Sequence, residues 1–178
     1  MPRTALVALL ALLLLSSSTA ANDLSKGSSG EARGEVWVGT WLLDREASDS
    51  VEPMLVAMRA PWIARKAAAV MTPTMTITAL EHGGLRVVND NPIRQTDEEI
   101  FVDGVARERR DALDRKVVRS AAWSEAGQLV VRNLNHVERD EVVEVTSTWS
   151  VAGNTLEISN AIQAEDGPIV IRRVFRKQ

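Results

Sequence analysis

The pattern of hydrophobic and polar positions changes period once along this chain. Between Ser50 and Met71 apolar side chains recur at helical spacing, and on either side they fall in short runs that alternate with a period of two. Within the helical stretch Val51, Leu55 and Met58 share one face, Ser48 or Ser50 is placed to cap, and Pro53 suits a first turn. Pro61 opens a second helix in which Ile63, Ala67 and Val70 repeat the spacing. Pro73 ends it, because proline disfavours helical geometry in the residue before it. The dense apolar run at 36–41, with Trp37 and Trp41, predicts a first strand. After Pro73, strands are predicted at 74–80, 85–89, 98–102, 106–110, 116–123, 128–133, 141–149, 155–162 and 169–176. Ala126-Gly127, Ala152-Gly153-Asn154 and Glu165-Asp166-Gly167 are turn signals between them. Short turns favour a meander over the long cross-connections of a sandwich. The expected fold is all-β: a ten-stranded antiparallel up-and-down β-barrel with a helix-turn-helix lid between the first two strands.

The chain divides into three parts. Met1, Pro2 and Arg3 lead into an apolar run from Leu6 to Leu15, and Ser16 to Ala21 supply small residues for cleavage, so residues 1–21 read as a secretory signal peptide. The run is about half of the ~20 residues a membrane span needs. Residues 22–34 are rich in Ser, Gly and charge and read as a flexible linker, and the barrel is assigned to 35–178. The expected location is secreted or periplasmic. With 178 residues, 45% of them hydrophobic, the chain suits one globular domain. A formal net charge of -3, made more negative when Arg3 leaves with the signal, argues against nucleic acid as a partner. The absence of cysteine removes disulfides, thiolate metal sites and cysteine nucleophiles, and also the residue that bacterial lipidation needs. No Ser-His-Asp set, metal-ligand cluster or phosphate loop is visible, and neither His82 nor His136, read as lying in a turn and a loop, has a second ligand at metal spacing. No enzyme activity, cofactor or metal is therefore expected.

Several motifs, taken in order, resemble the intracellular lipid-binding proteins, the family that includes the fatty-acid-binding proteins. They are Gly39-Thr40-Trp41, the helical pair, the stretch from Ala64-Arg65-Lys66 to Met71-Thr72-Pro73-Thr74, Arg115-Lys116-Val117-Val118-Arg119-Ser120, and the terminal Arg173-Val174-Phe175. The resemblance implies a barrel cavity for a fatty acid or similar lipid, closed by the helical lid. Two departures leave the family's carboxylate clamp incomplete. Phe175 stands where the family has tyrosine, and no arginine stands at Thr148 or Trp149, where a second internal one is expected. A secretory signal is a third departure, since typical members are cytosolic.

Arg173 is the leading ligand-binding candidate, because it shares a strand face with Ile169, Ile171 and Phe175. A charge among apolar neighbours needs a partner, either a ligand carboxylate or an internal acid. Losing one hydroxyl contact costs about 1–2 kcal/mol. A sixteen-carbon tail gains on the order of 12 kcal/mol at ~0.8 kcal/mol per methylene, against association costs of about 4–15 kcal/mol. The broken clamp therefore does not exclude acidic lipids, and it shifts the balance toward less charged ones. Phe175, Met58, Trp62, Trp149 and Arg109 complete the candidate set. Met58 and Trp62 lie at the helix junction, where they either touch ligand or pack on the rim. Trp41, Trp123 and Trp149 read chiefly as core. Asp97-Glu98-Glu99 and Arg107-Glu108-Arg109-Arg110-Asp111 read as exposed faces, although alternation turns either Arg107 and Arg109 or Glu108 and Arg110 inward. Arg59, Arg65 and Lys66 either give the lid a transient contact with anionic membrane surfaces or form a solvated face. A monomer carrying a small hydrophobic ligand is expected, with a barrel that binds a protein partner as the competing reading. Because residues 22–34 lack apolar periodicity, a chain starting at Glu35 is expected to melt within a few degrees of the full mature chain; calorimetry of the two checks this.

Overall fold

The computed structural model describes residues 35–81, 83–91, 95–111, 113–138, 141–164 and 167–178. The signal peptide, the linker, His82 and the Glu165-Asp166 part of the last turn signal lie outside the described residues. Among the described residues the chain forms β1 (Gly39–Asp44), α1 (Glu52–Ala57), α2 (Trp62–Val70), β2 (Thr74–Ala79), β3 (Leu85–Asp90), β4 (Thr96–Ile100), β5 (Arg107–Arg110), β6 (Lys116–Trp123), β7 (Leu129–His136), β8 (Val142–Ala152), β9 (Thr155–Ala164) and β10 (Gly167–Lys177). All ten strands join one antiparallel sheet in the order β4-β3-β2-β1-β10-β9-β8-β7-β6-β5. Neighbours in sequence are neighbours in space, and β1 meets β10 with Leu43 opposite Phe175. Short loops make this order possible. Ala152 pairs with Thr155, and Gly153 between them takes φ 56, the positive value that the first loop position of a type II′ hairpin requires.

The pleat gives the sheet one inner face, and the register carries it from strand to strand. Trp41 and Leu43 share that face with Met75, Ile77, Leu85, Val87, Ile100, Ala121, Leu129, Val131, Trp149, Leu156, Ile158 and Phe175, which together form the main buried cluster. The cluster draws on strands from both halves of the sheet, so the sheet curls until its two halves pack on each other. Trp37 joins it from just before β1, its ring tilted 44° to that of Trp123 with centroids 5.5 Å apart, and its carbonyl accepts the indole N–H of Trp41 at 2.9 Å. The first strand accordingly begins three residues later than the apolar run at 36–41 suggests. That run includes a turn closed by the Val38 N–H on the Glu35 carbonyl at 3.2 Å. His136 ends β7 opposite Val142 and is not in a loop, because β7 continues past Asn133.

The ladder does not close. Among the described residues β4 and β5 are the two ends of the sheet and share no backbone pairing. Side chains cross the seam instead. Glu98 of β4 receives Arg109 of β5, and also Arg119 of β6 at 2.7 Å, whose Nε donates to Asn133 at 2.7 Å. Asp97 and Glu99 are exposed as expected, but Glu98 turns inward, since it lies two residues from the buried Ile100 on the same face. Burial pushes the Glu98 carboxyl up, and the hydrogen bond from Arg109 with the charge and hydrogen bond of Arg119 together outweigh it, so its pKa sits below the usual value. Burial pushes Arg119 down, opposed in part by Glu98.

The lid is held at both of its helices. α1 begins with Glu52 and Pro53 in its first turn and ends with Arg59 at φ 54, where the Ala60 N–H reaches the Leu55 carbonyl at 2.9 Å. Neither serine caps it through N3: the Ser50 hydroxyl accepts the Glu52 N–H, and Ser48 is bound to β10. Met54, Ala57 and Met58 pack on Val137, Val143, Val145 and Ile162, a face turned from the Val51–Leu55–Met58 stripe read from sequence. Arg115 donates to the Met58 carbonyl at 2.8 Å, tying the helix junction to the turn after β5. α2 departs further from expectation: Ile63 is 66% exposed and Val70 69%, so its apolar stripe faces solvent.

Replacing Glu98 by Ala leaves two inward guanidiniums without their shared acid and is expected to cost about 1–3 kcal/mol, while Glu99→Ala stays within about 0.5 kcal/mol. Urea unfolding of the two variants separates them. Because the folded pKa of Glu98 is depressed, its contribution is full above the free value of 4.5 and is lost as pH falls through the folded pKa. The Glu98→Ala penalty should therefore shrink on acidification.

Candidate functional site

The inner face of β8, β9 and β10 carries polar donors among apolar residues. Trp149 of β8 pairs with Ile158 of β9, which pairs with Arg173 of β10, so one row across three strands holds an indole and a guanidinium separated by an isoleucine. The adjacent row holds Ser147, whose hydroxyl meets the Asn160 side-chain oxygen at 2.7 Å. Arg173 reaches this face because Ile171 and Phe175, two residues to either side, are buried at 2% and 5% exposure. It lines a pocket of about 240 Å³ beneath the lid, together with Leu43, Ser48, Val51, Ala68, Ala69 and Met71.

The row's two donors lack partners. Both the Arg173 Nε and the Trp149 Nε1 are buried with no hydrogen-bond partner among the described residues, and Arg173 forms no ion pair among them. Burial pushes the Arg173 guanidinium down, and the nearby charge of Arg45 pushes it in the same direction. Guanidinium and indole nitrogens only donate, so both groups require an acceptor. A buried donor left without one costs about 1–3 kcal/mol, more when charged. The internal acid weighed as an alternative partner does not fill the role: Glu98 is held by Arg109 and Arg119, and Asp49, which lines the same pocket, accepts the Arg172 backbone N–H and forms no ion pair with Arg173 among the described residues.

The other candidates separate. Phe175 lies in the main cluster beside Arg173, and Met58 covers the mouth over the β7–β9 side of the wall. Arg109 faces inward, as one of the two alternations allowed, but is engaged by Glu98 at the seam. There, residues from both faces of the wall, Glu98, Phe101, Arg107, Arg110 and Ala121 among them, line a cleft of about 290 Å³. Trp62 is 66% exposed on the outside of the lid, away from the pocket. Sequence reading missed Arg45, Glu98, Arg119 and the Ser147–Asn160 pair. Strand parity was the available signal for Glu98, Arg119 and the Ser147–Asn160 pair, Arg119 lying between Val117 and Ala121, whereas Arg45 stands one residue past the end of β1. Among the described residues no group of three or more His, Asp or Glu side chains is placed to hold a metal ion.

This architecture is the fatty-acid-binding-protein fold. The chain superposes on fatty-acid-binding protein 1 of Echinococcus granulosus with a TM-score of 0.64 at 17% identity, covering 80% of this chain and 98% of that one. It matches the Schistosoma mansoni fatty acid binding protein in complex with arachidonic acid with a TM-score of 0.69 at 13% identity, over 82% and 98%. A secretary abundant heat soluble protein of Ramazzottius varieornatus matches with a TM-score of 0.62 at 14% identity, over 80% and 96%. No family model matches the sequence, and no curated protein matches it.

An unpaired, half-buried charge destabilises the empty protein. Arg173→Met is therefore expected to raise the unfolding free energy of ligand-free protein by about 1–3 kcal/mol in urea. A loss of stability would show that Arg173 has a counter-ion in solution.

Proposed function

We propose that this protein binds and carries a small hydrophobic ligand, a fatty acid or a similar single-chain lipid, in its barrel and catalyses no reaction. The observation that carries the reading is Arg173: a guanidinium on the inner wall, beneath the lid, with no acceptor among the described residues. An acidic head group supplies that acceptor through a charge-assisted fork, and the apolar wall around it suits a tail. Phe175 offers no hydroxyl to share the head group, so the guanidinium carries more of the recognition than it would beside a tyrosine. At about 240 Å³ the pocket is below the usual ligand-site range of about 300–1,000 Å³, so short or bent tails fit it best. The named lipid binding of the proteins sharing this fold points the same way.

The lid suggests how ligand is delivered. Its outer side exposes Val56, Trp62, Ile63 and Val70, with the exposed Lys66, and Arg59 ion-paired with Glu141 at 3.5 Å, on the same helical pair. An apolar stripe flanked by cations suits transient contact with an anionic membrane surface. The same patch also suits a protein partner, which keeps the second reading, a barrel that docks another protein, in play. The protein acts as a monomer outside the cytosol, secreted or periplasmic, a reading that rests on the leader at 1–21.

Binding of a fluorescent fatty-acid analogue to the delipidated mature protein tests the carrier role. Arg173→Ala is expected to weaken an acid about tenfold more than the alcohol of the same tail, the effect of about 1.4 kcal/mol. Equal losses for the two would assign Arg173 to the fold alone. Failure of every long- and medium-chain amphiphile to bind would leave the protein-docking barrel in front.

A further inference from the structure

Arg45 extends the inner face of β1 beyond Trp41 and Leu43. Since Leu43 pairs with Phe175, two further residues along each strand bring Arg45 and Arg173 to neighbouring positions on the same face. The ladder gives way there: β1 ends at Asp44, the chain bulges through 45–47, and it returns to β10 where the Ser48 hydroxyl accepts the Val174 N–H at 2.9 Å and the Asp49 N–H reaches the Arg172 carbonyl at 2.8 Å. Both guanidiniums line the pocket beneath the lid. Like charges at neighbouring cross-strand positions repel, and a pair of this kind persists only if something else compensates.

No acid among the described residues forms an ion pair with either arginine. Asp44 is held by Arg176 at 3.0 Å and Glu52 by Arg65 at 3.2 Å, while Asp49, which lines the same pocket, accepts the Arg172 backbone N–H at 2.7 Å. Arg45 donates to the Ala69 carbonyl at 2.8 Å and the Val70 carbonyl at 3.2 Å, at the C-terminal end of α2. Three of its five N–H donors are left. Arg173 keeps all five among the described residues, and the Ser50 hydroxyl, which lines the same pocket, accepts the Glu52 N–H and keeps its own proton to donate. These are more donors than the two oxygens of a carboxylate satisfy. Arg45 is also exposed, so a head group between the two arginines remains partly hydrated.

We propose that Arg45 and Arg173 form a two-armed head-group site, and that the ligand it selects is a single-chain lipid bearing a phosphate monoester. Such a group presents three terminal oxygens and a charge of about -1.5 to -2 at neutral pH, enough for a fork from each arginine. A carboxylate fills the Arg173 arm and leaves the Arg45 arm empty. The proposal rests on the lipid-carrier reading above and deepens it. Because Arg45 also grips the end of α2, a phosphate bound there ties the head group to the closed lid.

Titration calorimetry with dodecyl phosphate, dodecanoate and dodecanol, below their micellar concentrations and at fixed salt, tests it. Wild-type protein is expected to bind the phosphate at least about tenfold more tightly than the carboxylate. Arg45→Gln should bring the two acids to within about twofold of each other while both still bind more tightly than the alcohol, and Arg45→Lys, which keeps the charge without the fork, should fall between. The dodecanol affinity measured in each variant reports whether lid and cavity remain intact, so a misfolded variant is recognised by its loss of all three ligands. Binding of all three ligands to wild type with no phosphate preference, or a preference unchanged by Arg45→Gln, overturns the two-armed site and leaves the carrier reading standing. No binding of any of the three to wild type overturns both.

Discussion

A sheet that runs through ten strands in order has two free edges, and everything inside this protein depends on how those edges meet. β4 and β5 come together without a backbone ladder among the described residues, and the join is made by one carboxylate, Glu98, held between Arg109 and Arg119. Free edges are aggregation sites unless covered or charged. Charges placed on the inner side of the seam serve that end and also close the barrel. They set the polarity of the interior as well: the apolar wall is interrupted by Glu98 on β4 and by charged and amide side chains at intervals from β5 to β10.

Within that interior the polar groups divide into those that are satisfied and those that are not. Glu98, Arg109, Arg119 and Asn133 complete one another, and Ser147 and Asn160 do the same. The Arg173 Nε and the Trp149 indole N–H stay unmatched on one row of the wall. Folded proteins leave few such groups, and those they keep call for an explanation. Here both are donors, both face inward, and the lid lies above the pocket that Arg173 lines. In the proposed carrier, an acidic ligand would recover the stability lost to an unmatched guanidinium in the empty barrel and so couple binding to the integrity of the fold.

Much of this was legible in the sequence because alternation is a strict rule. The face shared by Ile169, Ile171, Arg173 and Phe175 and the single helical interruption both followed from period alone. Where alternation had no apolar anchor, it failed. Asp97-Glu98-Glu99 looks like a solvated run, and the inward turn of Glu98 shows in its pairing with the buried Val87 of β3 and its parity with Ile100. Arg45 lay hidden because the strand stops at Asp44 and the inward face continues through a bulge. The stripe of Ile63, Ala67 and Val70 was read correctly as apolar but points away from the barrel, since periodicity identifies a face and not what covers it.

The proposed carrier would hold the head of an acidic amphiphile against Arg173 and Trp149 inside the barrel. Two-dimensional ¹H–¹⁵N NMR of the arginine Nε–H and tryptophan indole N–H signals tests it directly, with assignments from single substitutions. On titration with a medium-chain acid, the Arg173 Nε–H and the Trp149 indole N–H are expected to move together and saturate at one ligand per chain, while the exposed Trp62 indole moves least. Saturable binding that leaves the Arg173 and Trp149 signals in place while Trp62 shifts would contradict the account and put the ligand on the outside of the lid.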